Sequence, residues 1–573
     1  MSLLSAFSSA RAGIVSAQSG IDLAARNVAN ASTEGYSRKI QQQSSLVSGS
    51  EFGMLRQEPA TRLIDTDLQK DLRTQVSTVE ELKAVEDFLG RMELSFGPLQ
   101  SSQSIASKIT ALGSAFESLS VTPNLETTQK EVILAAQAVA DEFNRMSAEV
   151  QDLRLTADSH IHDAVNNVNL RLENILDLNA QITKMNSKSS GSSELDDQRD
   201  LQIDYISKEM NIKTFTRDNG QLAVMTGNND FMLDRQVYPL DFQSASAAVS
   251  DSTMSNVLLD DGLPGSQSSI GGDITSGRIA GLLKVRDELL PQMQDQLDAL
   301  AYNLARKMGS LTIGSSTAAL NLFHNKNALT PALPAAPAGF SAAITVNQDI
   351  IDNPALLREG DGTGTFQAGG DADPSLPLAA LATFNEVFTL TDSSHNLNLE
   401  GSISVGDQVT LTVDGSSYTV TATDGTAATL LNDLKTTIAG LTGVDSVNIV
   451  GNGINFRFSD TTSHSVSASV AGTVTATASE VLVDHGLTAT ASFESFAAEM
   501  ISFQGNQRAD YENRLSFQGQ LQSTLSERFD DMSKVNIDEE ISHLVELQSA
   551  FTASARVLTS VQRVLDELLE IIR

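Results

Sequence analysis

His160 and His162 are the residues of this chain whose type and spacing first suggest chemistry, because a pair of imidazoles can hold a divalent metal. Two positions apart, they point to different faces of a helix. No HExxH pattern surrounds them and the chain has no cysteine, so nothing completes a zinc site and the pair reads as polar helix surface. Acidic turns at Glu359-Gly-Asp361-Gly and Asp371-Ala-Asp373 offer oxygen ligands without the twelve-residue spacing of a calcium loop, and they read as turn chemistry. A phosphate-cradling GxxxxGK, a GxSxG elbow and a GxGxxG after a strand are all absent. The 72 acids supply no geometry for an acid–base pair, and most fall on helix faces suited to solvent. The expectation is a protein with no catalytic residue, no cofactor and no metal.

What the side chains are spaced for is association. Near the amino end, Leu3, Ala10, Ala17, Ala24 and Ala31 interleave with Phe7, Ile14, Ile21 and Val28, two rows that each step by seven. Near the carboxyl end, Ile537, Leu544, Phe551, Leu558, Leu565 and Ile572 form another such row, supported by Leu547, Val561 and Leu568. Both ends therefore read as coiled-coil helices, and a row of small residues suits close packing against a bulkier partner. Leu3, Phe7, Ile14, Ile21, Val28 and the six residues of the carboxyl-terminal row are the candidate assembly interface. They can pair with each other, with copies of themselves, or dock into the protein's own core. A membrane-surface role fits poorly, since residues 1–31 carry only Arg11 and Arg26 as basic side chains.

The elements that must position these ends are mostly helical. Apolar spacing predicts a helix from Asp67 to Phe96 stopped by Gly97 and Pro98, another through Ile105 and Phe116, and a third from about Val132 to Ile182. That third helix, about 55 to 60 residues long with its ends, is expected to be a rod of roughly 80 to 90 Å at 1.5 Å per residue. A hairpin is expected between 211 and 243 around Asn219-Gly220, then helix from Ile279 to Leu304. From Val405 to about Val483, alternating strands around a short helix at Leu430–Ile438 make a compact insertion. The predicted fold is mainly α with an α+β insertion: an elongated rod, its terminal coiled-coil helices paired, with a long-helix shaft and a projecting strand-rich domain. The expected parts are 1–40 with 536–573 as the terminal coiled coil, 41–330 with 490–535 as the shaft, 331–384 as a connection, and 385–489 as the insertion.

Composition narrows the partners. The 573 residues carry a formal net charge of −34 with no long basic run, which argues against nucleic acid and anionic membrane surfaces. Without cysteine there are no disulfides or thiol nucleophiles. No run of eighteen apolar residues exists, and the first thirty residues do not read as an ordinary cleavable signal.

Asn27-Val-Ala-Asn30-Ala-Ser-Thr-Glu-Gly35-Tyr36-Ser-Arg38 closely resembles the amino-terminal signature of bacterial flagellar rod, hook and hook-associated axial proteins. Leu547-Gln-Ser-Ala-Phe551-Thr-Ala-Ser-Ala555-Arg-Val-Leu558 resembles their carboxyl-terminal signature. Inside, Glu194-Leu-Asp-Asp-Gln198-Arg199-Asp200-Leu201 and Gly281-Leu-Leu-Lys-Val-Arg286-Asp287-Glu288-Leu289-Leu290 are similar to motifs of the hook-associated branch. The resemblance implies a non-enzymatic junction subunit of the extracellular flagellum, between hook and filament. Its implied partners are copies of itself, the hook protein, the next hook-associated protein on the filament side, and a cytoplasmic export chaperone on the carboxyl-terminal helix. It further implies type III export after a transient cytoplasmic stage. Another axial subunit, such as a hook protein or flagellin-like filament protein, is the nearest alternative. A secreted adhesin or enzyme using the insertion is a remoter one. Exposed seams gain little in isolated helices, so the ends are expected to become ordered as they bury against neighbours.

Overall fold

The computed structural model describes residues 3–572 apart from 42, 49–50, 58, 98–100, 102, 188–190, 248–253, 261, 263–266, 310, 314, 328–332, 334–337, 361–364, 387, 390–392, 401–403, 424–425, 442–443, 451–452, 459–465, 472–474 and 483–489. Helix α1 (Leu3–Asn30) leads into β1 (Lys39–Ile40), the hairpin β2 (Gln43–Ser48) and β3 (Glu51–Gln57), and β4 (Thr61–Arg62), which pairs back with β1. The stretch from 41 to 59 was expected to belong to the shaft. It folds as strands instead, and β3 lies against α1, so these residues accompany the terminal helices. Polar strands such as Gln-Ser-Ser-Leu-Val-Ser leave little alternation to read.

Shaft helices follow where their caps and stops predict. The Asp65 carboxylate accepts from the amides of Asp67 and Leu68 to start α2 (Thr66–Phe96), and Gly97 at φ +73° ends it. Ser104 caps α3 (Ile105–Val121). Helix α4 (Glu126–Ser187) runs 62 residues, about 93 Å at 1.5 Å per residue, and buries one face from Val132 through Val150 and Ile161 to Ile182. After α5 (Ser193–Glu209) comes the expected hairpin, β5 (Ile212–Thr216) with β6 (Leu222–Thr226), turning through Gly220 at φ +86° and extended by β7 (Phe231–Leu233). Strands β8 (Leu240–Asp241), β9 (Leu258–Asp260) and β10 (Gln267–Ser269) form a second small sheet.

Helix α6 (Arg278–Lys284) passes through a π turn at Val285–Leu289 into α7 (Leu290–Gly309). The widened turn carries Arg286, whose 2 % exposed side chain donates to the fully buried Asp158 of α4 at 2.6 Å. Asp158 in turn accepts the Ala245 amide at 2.7 Å, so α4, the π turn and the chain after β8 share one buried charge pair.

Beyond β11 (Leu311–Ile313), β12 (Ser316–Ala318) and β13 (Phe323–Asn325), the residues 331–384 were read as a connection. Among those described, α8 (Phe340–Ala343), β14 (Ile344–Val346), α9 (Gln348–Asp352), α10 (Leu356–Glu359) and α11 (Ser375–Asn385) pack into the main core through Phe340, Ile344, Ile350, Leu357 and Leu376. Proline-, alanine- and glycine-rich sequence hid these short elements, and a buried carboxylate pins them. Asp298 of α7 accepts from the Ser341 amide and hydroxyl, the Gly339 amide and the Gln294 side chain, at 2.5–3.1 Å. Burial outweighs these donors and pushes the Asp298 carboxyl up to about 7.

The insertion has its own core of Leu397, Val409, Leu411, Leu430, Leu434, Ile454 and Phe456. It opens at β15 (Phe388–Thr389), continues through β16 (Ser393–Glu400), β17 (Gln408–Val413), β18 (Ser416–Thr421), α12 (Ala427–Ala439), β19 (Val444–Val450), β20 (Gly453–Phe458), β21 (Val466–Ala471) and β22 (Thr475–Leu482), and closes at β23 (Thr490–Ala491). One sheet runs β19-β20-β16-β22 and another β18-β17-β21, with α12 alongside. Strands β15 and β23 pair antiparallel, with Thr389 opposite Thr490, so both ends of the insertion meet. The chain then returns through α13 (Phe493–Ser533), which packs along α2, and α14 (Ile537–Ile572).

Two outcomes follow from these contacts. Bridging Thr389 to Thr490 with a short Gly-Ser linker in place of residues 390–489 leaves helical content and cooperative melting of the main core unchanged, because the cores are separate; loss of cooperativity on calorimetry would contradict this. For Asp298, the folded pKa lies above the unfolded value of about 3.9, so its contribution to stability is full below that value and lost as pH rises to about 7. Melting of the parent relative to Asp298→Asn therefore declines between pH 4 and 7. A difference that stays flat across that window would contradict the shift.

Candidate assembly interface

Helices α1 and α14 lie side by side, more than five hundred positions apart in sequence, and the contact is tight because α1 offers small residues there. A Cβ added at Gly13 would stand 2.7 Å from the Ser554 hydroxyl, and one at Gly20 would stand 3.0 Å from both Leu547 methyls. One heptad further along α1, the Asn27 amide donates to Glu540 at 3.3 Å. Gly13–Ser554, Gly20–Leu547 and Asn27–Glu540 thus step by seven in opposite directions, which defines an antiparallel pair in a single register. Ala10, Ala17 and Ala24 are buried beside this seam.

The residues predicted for the interface fall around that contact. Phe7, Ile14, Ile21 and Val28 are half-buried along α1. On α14 the row facing α1 is Glu540, Leu547, Ser554 and Val561, not the bulkier row expected to face it. Leu544, Leu558 and Leu565 are half-buried on its flank, while Ile537 and Phe551 are exposed. Close approach over glycine and alanine leaves room for only a narrow row. Of Leu3 and Ile572 the helical backbone is described but not the side-chain surroundings. Ile541, Val545, Val557 and Val564 add to the apolar surface that α14 turns outward.

The end of α1 is anchored by residues the sequence did not mark alongside those it did. Asn27 is buried and fully engaged: its amide nitrogen also donates to the Lys39 carbonyl at 3.0 Å, and its oxygen accepts from the Tyr36 hydroxyl at 3.0 Å and the Lys39 amide. Asn30 is half-buried and caps locally, donating to the Arg26 carbonyl. Gly35 turns the chain at φ +76° against Leu201 of α5. The Lys39 ammonium sits 3.5 Å from the centre of the Tyr36 ring, and burial, with Asp197 beyond it, pushes the Tyr36 hydroxyl up to about 12.

Asp197 is the residue missed. It accepts from the Ser37 hydroxyl at 2.5 Å and the Lys39 ammonium at 2.7 Å, and its carboxylate also faces Arg62 at 3.4 Å. Arg62 donates to Asp200 at 2.5 Å, and Arg73 of α2 bridges Asp200 and Asp204. Burial alone would raise Asp200, but Arg73 and Arg62 hold its carboxyl below the usual carboxylate range. Arg199 is buried and joins Asn179 of α4, the Gly220 carbonyl of the hairpin and Asp196. Gln198, expected to belong to the site, is exposed. Because Lys39 and Asp197 are only 3 % and 7 % exposed, removing either charge costs about 3–5 kcal/mol. Tyr36 and Lys39 stand three positions apart, but Asp197 lies 158 positions beyond Lys39, so no local pattern marks this cluster.

The chemistry-bearing candidates stay apart. His160 meets the Phe88 ring edge-on, whereas His162 contacts the Phe242 carbonyl at 3.1 Å. Among the described residues, no group of three or more His, Asp or Glu side chains is arranged to hold a metal, and no helix is long and apolar enough to cross a membrane.

Gly20→Leu should force α1 off Leu547, a strain of about 1–3 kcal/mol. Amide exchange along α1 is then expected to quicken about tenfold or more, with the main core unaffected. Exchange at the parent rate would contradict the close contact.

Comparison with known proteins agrees with this geometry. The family described as the flagellar hook-associated protein FlgK helical domain matches residues 89–312, and the flagellar basal body rod FlgEFG protein C-terminal family matches residues 527–571. Flagellar hook-associated protein 1 of Escherichia coli (strain K12) is 22% identical across 99% of this chain and 100% of its own length. Its counterpart in Salmonella typhimurium is 21% identical across 98% and 99%. A solved structure, the flagellar hook junction protein FlgK from Burkholderia pseudomallei, aligns with a TM-score of 0.44 at 15% identity, covering 80% of this chain and 99% of that one. With the helical-domain family matched from the end of α2 through α7, the rod-type family matched on α14, and relatives matched end to end, this chain is similar along its length to the FlgK-type flagellar hook-associated proteins.

Proposed function

We propose that the chain is a structural subunit at the junction between hook and filament, working by packing and not by catalysis. The observation that carries this reading is the state of α14: one face is occupied by α1 of the same copy, while Ile537, Ile541, Val545 and Phe551 are turned outward and uncovered. Exposed apolar side chains at this density mark a surface meant for other chains. The outer half of α13 adds Phe517, Leu521 and Met532.

The ends were expected to bury their seams only on assembly. Within a single copy they already pair, so the inner rows build the subunit and the outer rows remain for neighbours. In a tubular lattice those neighbours are other copies, the hook protein below and the next hook-associated protein above, since a subunit with unlike ends makes heterologous contacts that propagate. The same outward face of α14 is the surface an export chaperone would cover in the cytoplasm, before passage to the extracellular flagellum.

Phe551→Asp tests this division. A charge on an exposed side chain changes subunit stability by about 0.5 kcal/mol or less, so the purified variant should fold and melt as the parent does. In cells lacking the parent, it should be secreted yet fail to retain filaments, scored by motility and by filament counts. Normal filament attachment would overturn the proposed use of this face.

A further inference from the structure

The terminal helices join the shaft through a chain of buried and half-buried ions, although the backbone there is slender. Among the described residues, the chain passes between these two parts at Leu63–Asp65 and Lys534–Asn536, and neither crossing is helical. Lys534 is extended and ends α13, while Asn536 begins α14 afresh by accepting from the amides of Asp538 and Glu539. No helix runs through the joint to stiffen it.

Side chains do the stiffening. Lys39 on β1, Asp197 on α5, Arg62 on β4, Asp200 on α5 and Arg73 on α2 alternate in sign, with successive separations of 2.7, 3.4, 2.5 and 3.3 Å. The first and third belong to strands that accompany the terminal helices; the other three belong to the shaft. One backbone bond accompanies them, from the Arg38 amide to the Ser533 carbonyl at 2.7 Å. Ser37 adds its amide and hydroxyl to Asp197, and the Ser193 hydroxyl donates to the Ala60 carbonyl, whereas Arg26–Glu194 at 3.9 Å and Tyr205–Glu34 at 3.3 Å are exposed and weak. Beside the ions lies a cleft of about 470 Å³, bounded by residues 31–37, α2, α5 and the end of α13, which leaves space on one side of the joint.

We propose that the Lys39–Asp197–Arg62–Asp200–Arg73 chain is a latch that fixes the angle between the terminal helix pair and the shaft, and that opening it lets the pair swing about Leu63–Asp65 and Lys534–Asn536. Both crossings would then bend by backbone rotation alone, which is how hinges absorb motion. The alternation matters because Lys39 and Arg62 each meet Asp197 across the joint and Arg62 also meets Asp200, which Arg73 holds from within the shaft, so loss of one member leaves its partner seeking water. This inference concerns the subunit alone and stands whatever the outer face of α14 contacts.

The absence of cysteine makes the test direct. Spin labels at Gln548→Cys and Glu173→Cys, both exposed on α14 and α4, report the angle as a distance distribution in pulsed electron spin resonance on the full-length soluble subunit. The parent should show one narrow distribution. Asp197→Asn and Lys39→Met should each at least double its width while circular dichroism and the melting of the main core stay at parent values. Lys39→Met keeps Asp197 and its bridge to Arg62, together with the Arg73 bridges within the shaft, so its result stands if Asp197→Asn fails to fold. Glu539→Gln, which removes only an exposed partner of Arg38, should leave the width unchanged. A parent distribution that is already broad, an unchanged width in Lys39→Met, or broadening by Glu539→Gln equal to that of Lys39→Met would each overturn the latch.

Discussion

The close antiparallel contact between α1 and α14 is the constraint from which the rest of this architecture follows. It joins the two ends of the chain, so everything between them must leave and return to the same place. Glycine and alanine on α1 allow the approach, and a buried Asn27–Glu540 pair fixes the register. A polar pair within an apolar seam lowers stability somewhat and disfavours slipped alternatives, since a shift by one heptad would part Asn27 from Glu540. Arg38 then neutralises Glu540 from outside at 2.8 Å, which ties the register to the turn that leads into the shaft.

The nested order of the chain expresses the same constraint. Going outward from the paired ends, the polypeptide builds α2 and α13 side by side, then the bundle around α4, then the short elements pinned by Asp298, and last the insertion closed by β15 and β23. Each layer is entered and left at neighbouring points, so length is added without disturbing the terminal contact. Two independent cores result, one running the length of the shaft and one inside the insertion. Under the proposed role, this separates the end surfaces that would meet neighbours from the insertion, which has its own core.

Much of this was legible because helix periodicity survives in a single sequence. The Gly97 stop, the 62-residue rod, the turn at Asn219-Gly220 and the break before Ile537 each have a local physical cause that can be read from residue types. The β2–β3 hairpin and the elements of 331–384 were hidden because their stability comes from partners, α1 and Asp298, that lie elsewhere in the chain. The seam was recognised, but of its facing row on α14 only Leu547 and Val561 were named, as support for the bulkier row: hydrophobicity favours the Phe551 row, whereas contact distance is decided by the glycines opposite. In the same way Gln198 drew notice as part of a motif, although Asp197 beside it holds the charges. Tertiary pairing of ions leaves almost no periodic trace.

The register of the terminal pair is tested most directly by a cross-link. In this cysteine-free chain, a Cβ at Gly13 would lie 3.4 Å from that of Ser554, close to disulfide geometry. Oxidation of purified Gly13→Cys/Ser554→Cys should therefore close an intramolecular bond in nearly all molecules at low concentration, seen as a faster band on non-reducing gels. Gly13→Cys/Leu547→Cys, displaced by one heptad, should not. Efficient closure of the displaced pair, or failure of the first, would contradict a single register and with it the account of how the chain's ends define the subunit.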